Sequence, residues 1–262
     1  MRYLLSGASQ SILAALAQER TLCAFDFDGT LAPIVKHPDQ ARLSDCTRQL
    51  LVRLAELYPC VILSGRGRAE LLGKLGGIPF AGVFGSHGAE GGGAKPEAHP
   101  LVTQWKAALE LGLSSVPGLW VEDKGLSLAV HYRDSSRKPE VRRQILLIAQ
   151  NLDQARIVGG KDVVNVVVDG DPHKGTALLA ERDRLRCESV LYVGDDDNDE
   201  DAFAIGGRMI SVRIGRSITS KASYYLRAQA EIDTLIQLMV RLREQSPEGG
   251  RVGKNSPKPI CG

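Results

Sequence analysis

Between residues 194 and 201 the chain reads GDDDNDED, six carboxylates in eight positions, directly after SVLYV, an apolar run with the character of a buried strand. Like charges this dense repel one another, and burying them unpaired is costly. Helix chemistry accounts for part of the run. Asp197 or Asn198 can cap a helix, and Asp199, Glu200 and Asp201 then fall in its first turn, where negative charge is favourable. Asp197 with Glu200 also has capping-box spacing. Asp195 and Asp196 are left at the strand exit, where carboxylates can hold a cation. A calcium loop is excluded, because Glu200 stands where the loop needs glycine and Gly206 where it needs glutamate.

Three further clusters have the residue types for phosphate chemistry. TLCAFDF is followed by Asp28, Gly29 and Thr30. In extended chain Asp26 and Asp28 share a face, at the strand end where open α/β sheets bind ligands. CVIL is followed by Ser64, Gly65 and Arg66, a hydroxyl and a glycine able to offer O–H and N–H groups to an anion. In DPHKGTALLAER, Asp171 reads as an N-cap with Pro172 at the first helical position, which puts Lys174 in the first turn. A cation there opposes the helix dipole unless an anion lies nearby. GAEGGGAK misses the P-loop pattern. Few carboxylates from two strands suit Mg²⁺, which keeps waters and binds substrate phosphate. Together the clusters imply phosphoryl transfer to a carboxylate nucleophile.

The elements that must position these residues are short apolar strands alternating with helical patterns. TLCAFDF, CVIL, AGVFG, SVLY and MISVRI read as strands. Helical spacing begins at Ser44 and recurs near 67–75, 172–185, 198–205 and 230–244. This predicts an α/β fold, a doubly wound parallel sheet covered on both faces. From about 100 to 168 the rhythm changes to helix, hairpin, helix, hairpin, with turns at DKG and GGK, which predicts an inserted small α+β domain with an antiparallel sheet. The expected organisation is a core over 1–99, the insertion over 100–168, a second core part over 169–245 and a disordered tail over 246–262.

Composition bounds the partners. The 262 residues are 43% hydrophobic and 24% charged, with a formal net charge of +2, which gives no bulk attraction to nucleic acid or to an anionic membrane surface. Five scattered cysteines without a CxxC pair predict reduced thiols in a cytoplasmic protein. Residues near Ile12, Leu13 and Leu16 read as a first amphipathic helix and not as a signal peptide, since Ser9, Gln10 and Ser11 interrupt the apolar stretch. No run has the length of a membrane span.

DFDGTL, SGR, HKG and GDDDNDE, in that order, resemble the four motifs of the haloacid dehalogenase (HAD) phosphatase superfamily. The resemblance implies that Asp26 attacks phosphorus and that Asp28 protonates the leaving oxygen and then activates water. It implies Mg²⁺ held by Asp26, the backbone carbonyl of Asp28 and Asp195, with Asp196 and Asp199 as positioning residues. Thr30, Ser64, Gly65 and Lys174 would hold the phosphate, and the insertion would be a cap. DFDGTLAPI, GSHGAE, VEDKGLSLAVHYR, HKGTAL and GDDDNDEDAF narrow the resemblance to the trehalose-6-phosphate phosphatase family. That family's cap glutamate and lysine map onto Glu122 and Lys124, beside Trp120, with Arg133 a further candidate. His87 is a candidate near the core site. Asn165 stands in VVNVVV where the family usually has a third cap contact, a glutamate, and Asn198 stands where threonine is usual. A sugar phosphate is the expected partner and a monomer the expected state. Phosphatases of sucrose 6-phosphate or another glycosyl phosphate, a phosphomutase and a noncatalytic sugar-phosphate sensor are the competing readings.

Overall fold

The computed structural model describes residues 1–91 and 98–246. Its strands are β1 (Arg2–Tyr3), β2 (Thr21–Phe25), β3 (Cys60–Leu63), β4 (Gly82–Phe84), β5 (Trp120–Asp123), β6 (Ser127–His131), β7 (Ala155–Gly160), β8 (Val163–Val168), β9 (Ser189–Gly194), β10 (Met209–Ile214) and β11 (Tyr224–Leu226). Its α-helices are α1 (Gln10–Gln18), α2 (Asp45–Leu57), α3 (Arg68–Leu75), α4 (Pro100–Gly112), α5 (Lys138–Ala149), α6 (Lys174–Arg184), α7 (Glu200–Phe203) and α8 (Glu231–Gln245). The described chain divides into two compact units, one of residues 1–91, 174–195 and 199–246, the other of residues 98–173 and 196–198.

The first unit is built on a parallel seven-stranded sheet in the order β1-β11-β10-β9-β2-β3-β4. Its central strands are apolar throughout because both faces are covered. Cys23, Phe25, Ile62, Leu191 and Val193 point to one side, against Leu16, Leu54 and Leu235 of α1, α2 and α8. The alternate residues Leu22, Ala24, Val61, Leu63 and Tyr192 point to the other, against Leu178 of α6 and Phe203 of α7. Period-two alternation with no polar face is what a buried parallel strand requires. The α/β doubly wound reading therefore holds.

The second unit has a four-stranded antiparallel sheet in the order β5-β6-β8-β7. Leu128, Val130, Val164 and Val166 line one face and pack on Val102, Trp105 and Leu109 of α4 and on Val141 and Ile145 of α5. Helices on one face of an antiparallel sheet make this a small α+β unit. The β5–β6 turn uses Gly125 at φ +80°, and in the β7–β8 turn Asp162 adopts φ +60°. The second hairpin thus places its left-handed residue after the GGK triplet, on a short polar side chain that tolerates that conformation.

Some local readings need correction. The helix expected near 172–185 starts at Lys174, so Asp171 and Pro172 precede it and do not form its first turn. The helix expected over 198–205 is a four-residue α7, entered through a 3₁₀ turn at Asp197–Asp199. Strands β1 and β11 are too short to carry a readable pattern. Cys23, Cys60 and Cys187 are free thiols, whereas Cys46 is disulfide-bonded, which corrects the reduced-thiol expectation at that residue; Cys261 lies outside the described residues. The expected tail lies almost entirely outside them as well. Among the described residues no helix is long and apolar enough to cross a membrane.

Helix α2 begins where Ser44 predicts, with the Thr47 N–H donating to Ser44 Oγ at 3.0 Å. Removing that acceptor in Ser44→Ala is expected to lower unfolding free energy by about 1 kcal/mol. Urea denaturation of the two proteins side by side is the check.

Candidate active site

The sheet's central strands β2 and β9 end side by side, and the residues that follow them carry the charge. Strand β2 stops at Phe25, yet the Asp26 N–H still donates to the Val193 carbonyl at 2.9 Å, so Asp26 is fixed by the ladder as the chain leaves it. Its carboxylate is buried and accepts a hydrogen bond from Lys174 Nζ at 2.7 Å. Lys174 is 0% exposed and donates equally to Asp199 Oδ1 at 2.7 Å. Asp199 is itself fully buried, accepting from the Tyr192 hydroxyl at 2.6 Å and, on its other oxygen, from the Asp195 N–H at 2.9 Å. One carboxylate of the acidic run is thereby explained: Asp199 is the fixed counter-charge for a buried lysine.

Two glycines make room for this arrangement. A Cβ at Gly194 would sit 2.3 Å from Asp199 Cγ, and one at Gly29 would sit 2.0 Å from Asp195 Oδ2. Gly29 also adopts φ +79°, in the tight turn closed by its N–H to the Ala32 carbonyl at 2.8 Å. Ligand oxygens of Asp26, Asp195 and Asp199 lie within 4.8 Å of one another. Burial is the main force on Asp26 and pushes its carboxyl up to about 8, against the pull of Lys174 and with the push of Asp199. Burial opposes the charge on Lys174, but Asp199 and Asp26 outweigh it and hold the ammonium above its usual range.

Asp28 is placed differently. Its carboxylate is gripped by Arg66, with Nε to Oδ2 at 2.6 Å and Nη2 to Oδ1 at 2.7 Å. Because β2 ends at Phe25, the period-two argument that put Asp26 and Asp28 on one face does not extend through them. Thr30 is fully buried, and its Oγ1 has no hydrogen-bond partner among the described residues. Ser64 is 1% exposed, and its Oγ accepts from the Arg66 N–H at 3.2 Å. Gly65 faces the buried His87 ring, which a Cβ would approach to 2.7 Å. Ser86 and His87 both adopt left-handed backbone, at φ +46° and +60°. That conformation aims the Ser86 N–H at the Arg66 carbonyl (2.8 Å) and the His87 N–H at the Ser64 carbonyl (2.9 Å). Consecutive non-glycine residues held this way are costly and persist only where surrounding bonds enforce them.

Asp196 follows at the strand exit, and its Oδ1 accepts from the Asp197 N–H at 2.8 Å where the 3₁₀ turn begins. The capping-box reading of Asp197 with Glu200 does not describe the glutamate, whose carboxylate accepts from Arg213 at 3.1 Å and from the Lys221 N–H at 2.8 Å.

In the second unit, Glu122 and Asn165 lie on one face of the antiparallel sheet, each opposite Ala129 of β6. Trp120 and His131 are directly paired on the same face and their rings stack at 3.9 Å. His131 Nε2 lies 2.9 Å from Glu122 Oε2, and Lys124 Nζ 3.7 Å from the same oxygen. Asn165 is buried, its Nδ2 donating to the Val158 carbonyl at 3.4 Å. Arg133 follows β6 by two residues and is half-buried.

Three contributors were not anticipated from the residues: Tyr192, Arg66 and His131. Tyr192 is hidden in an apolar strand and betrayed only by its hydroxyl. Arg66 and Glu70 stand four apart, the spacing of a helical ion pair, and the two do pair.

A family model described as trehalose-phosphatase matches residues 24–229, most of the chain. The chain belongs to the trehalose-phosphatase family. The trehalose-phosphate phosphatase of Mycobacterium bovis is 36% identical over 199 residues, 70% of this chain and 50% of that protein. The chain spans about half the length of such curated relatives. Among solved structures, the C-terminal domain of Candida albicans trehalose-6-phosphate phosphatase superposes with a TM-score of 0.76 at 21% identity, covering 89% of this chain and 97% of that one. A HAD subclass IIB sugar phosphatase superposes with a TM-score of 0.60 at 16% identity, covering 83% and 97%. Both likenesses concern the fold, a HAD-like core with a separate antiparallel unit.

An Asp26 carboxyl held near 8 is largely protonated at pH 7, and a cation that holds it ionised must displace that proton. Adding Mg²⁺ at pH 7 is therefore expected to release up to one proton per chain, read by calorimetry in buffers of different ionisation enthalpy. Asp26→Asn is expected to release none, and in the parent protein the release should fade as pH rises past 8.

Proposed function

We propose that this trehalose-phosphatase family member is a Mg²⁺-dependent phosphatase that hydrolyses trehalose 6-phosphate to trehalose and phosphate through an aspartyl phosphate on Asp26. The observation that carries the reading is the buried Asp26 tethered to Lys174, with Asp195 alongside at the end of the neighbouring strand. Asp26 Oδ attacks phosphorus while the bond to the sugar oxygen breaks, and Asp28 gives its proton to that oxygen so that the sugar leaves as an alcohol. Water then attacks the aspartyl phosphate, Asp28 takes the proton from the water, and the bond between phosphorus and Asp26 breaks to release phosphate and restore the carboxylate. Lys174 offsets the charge of Asp26 throughout, and Asp199 with Tyr192 keeps it in place.

The donor set suits Mg²⁺. Three carboxylates converge, one lysine is shared between two of them, and the smallness of Gly29 keeps Asp195 in range. Asp26, the Asp28 carbonyl and Asp195 would hold the ion, with Asp196 and Asp199 as positioning residues. When bound, Mg²⁺ supplies neutralisation of the phosphoryl oxygens and their alignment for in-line attack. The buried Thr30 hydroxyl, Ser64 and the backbone at Gly65 are the remaining phosphate donors. Glu122, Lys124, Arg133 and Asn165 are assigned to the sugar. An amide at 165 makes a weaker contact to a hydroxyl than a carboxylate, and this favours sucrose 6-phosphate or another glycosyl phosphate as the second reading. A monomer in the cytoplasm completes the proposal.

Phosphate release over a panel of sugar phosphates, with and without chelator, is expected to be fastest from trehalose 6-phosphate and to stop when the metal is removed. A higher kcat/KM for another sugar phosphate replaces the substrate, and accumulation of an isomeric sugar phosphate replaces hydrolysis by mutase chemistry. Asp26→Asn is expected to abolish turnover. Asp195→Ala should lose the Mg²⁺-dependent rate, while Asp201→Ala keeps the rate and costs no more than about 1 kcal/mol of stability, measured by phosphate assay and urea denaturation.

A further inference from the structure

The Arg66 guanidinium is almost wholly buried, its side chain only 9% exposed, and every nitrogen on it is engaged. Nε and Nη2 each take one oxygen of Asp28, at 2.6 and 2.7 Å. Nη1 pairs with Glu70, and Nη2 also donates to the Pro38 carbonyl at 2.9 Å. The residue's backbone is fixed too, through the Ser86 N–H on its carbonyl and through Glu90, which accepts from the Arg68 N–H at 2.7 Å and from Ser86 Oγ at 2.6 Å. The ring of Phe27 lies beneath the guanidinium, its centroid 5.7 Å from the guanidinium carbon. A planar fork locked on this many sides holds a carboxylate in one orientation, which a lysine's single flexible ammonium does not do.

We propose that Arg66 is the positioning residue for Asp28, presenting one of its oxygens to the leaving group while keeping hold of the other. The proposal rests on the reading of Asp28 as the proton donor to the leaving oxygen. A carboxyl group handles a proton with one oxygen at a time. Both oxygens accept from Arg66 in the resting pair, so the proton that Asp28 gives is taken up from solvent on Oδ1 once that oxygen has left Nη2; freeing Oδ1 costs less than freeing Oδ2 because Nη2 retains its bond to the Pro38 carbonyl. Oδ2 stays on Nε and acts as the pivot. The Asp28 side chain is 39% exposed, so it has space to move in a way that the buried Asp26 does not. An ion pair that merely ties residues 28–40 to α3 would use the same contacts, and the two roles differ in what their loss does to different leaving groups.

An alkoxide needs a proton in the transition state, whereas a nitrophenolate leaves without one. The experiment measures kcat/KM, which reports on the first phosphoryl transfer, for an alkyl monoester (trehalose 6-phosphate or glucose 6-phosphate) and for p-nitrophenyl phosphate, with the full chain and Mg²⁺. Arg66→Ala is expected to lose at least about tenfold more on the alkyl ester than on the aryl ester. Arg66→Lys is expected to show the same selective loss, and millimolar guanidinium should restore the alkyl reaction of Arg66→Ala in preference to the aryl one. Equal losses on both esters, or rescue of both alike, overturn the proposal. Circular dichroism melting identifies an unfolded variant, and where Arg66→Ala does not fold the Arg66→Lys comparison decides alone. Asp28→Asn is run in parallel. If it is selective against the alkyl ester and the Arg66 variants are not, the positioning role fails and the acid role of Asp28 stands. If Asp28→Asn loses equally on both esters, the acid role fails and the proposal falls with it.

Discussion

A lysine with no solvent exposure, shared at 2.7 Å by Asp26 and Asp199, is the constraint around which the first unit is arranged. Taking an ammonium out of water costs several kcal/mol unless charged partners replace the solvent, and breaking such a group by removing one partner is far worse than never having formed it. Each neighbouring feature serves that replacement. Tyr192 and the Asp195 N–H hold Asp199 from two directions, Gly194 lets it approach the backbone, and the β2 ladder fixes Asp26. Asp199 balances the lysine's charge, and burial holds the Asp26 carboxyl up to about 8 beside the same ammonium.

The two units solve different problems with different sheets. Parallel β2 and β9 are apolar on both faces, so chemistry is confined to their ends, where the backbone runs out of partners and polar side chains begin. The antiparallel sheet packs its apolar face under α4 and α5, and its other face carries polar side chains in rows. Glu122 and Asn165 occupy one such row, Trp120 and His131 the next. Side-chain chemistry gathered at strand ends in one unit and spread over a sheet face in the other follows from those two sheet types.

The fold was legible in the sequence wherever burial set a period. TLCAF, CVIL and SVLYVG declare themselves by uninterrupted apolarity, and Ser44 marks a helix start by its side-chain chemistry. Short edge elements such as Arg2–Tyr3 carry too few residues for a period to exist. The acidic run was readable as to its charge and not as to its geometry. Asp199 looks like helix-start charge in sequence, and only the path of the chain from Gly194 turns it inward to a lysine 25 residues earlier. Arg66 was visible within SGR, but its grip on Asp28 spans 38 positions and depends on two left-handed residues at 86 and 87 that no propensity predicts.

Residues 192–199 hold the hydroxyl, the glycine, the carboxylate that converges on Asp26, the amide donor and the buried counter-charge in one unbroken stretch. Their separations along the chain are set by three bonds converging on a single side chain. A substitution in this segment can be partial in its effect, but an insertion or deletion of one residue shifts the counter-charge relative to strand, amide and lysine all at once. The number of residues between strand β9 and the counter-charge is therefore a constraint in its own right, separate from which residues they are.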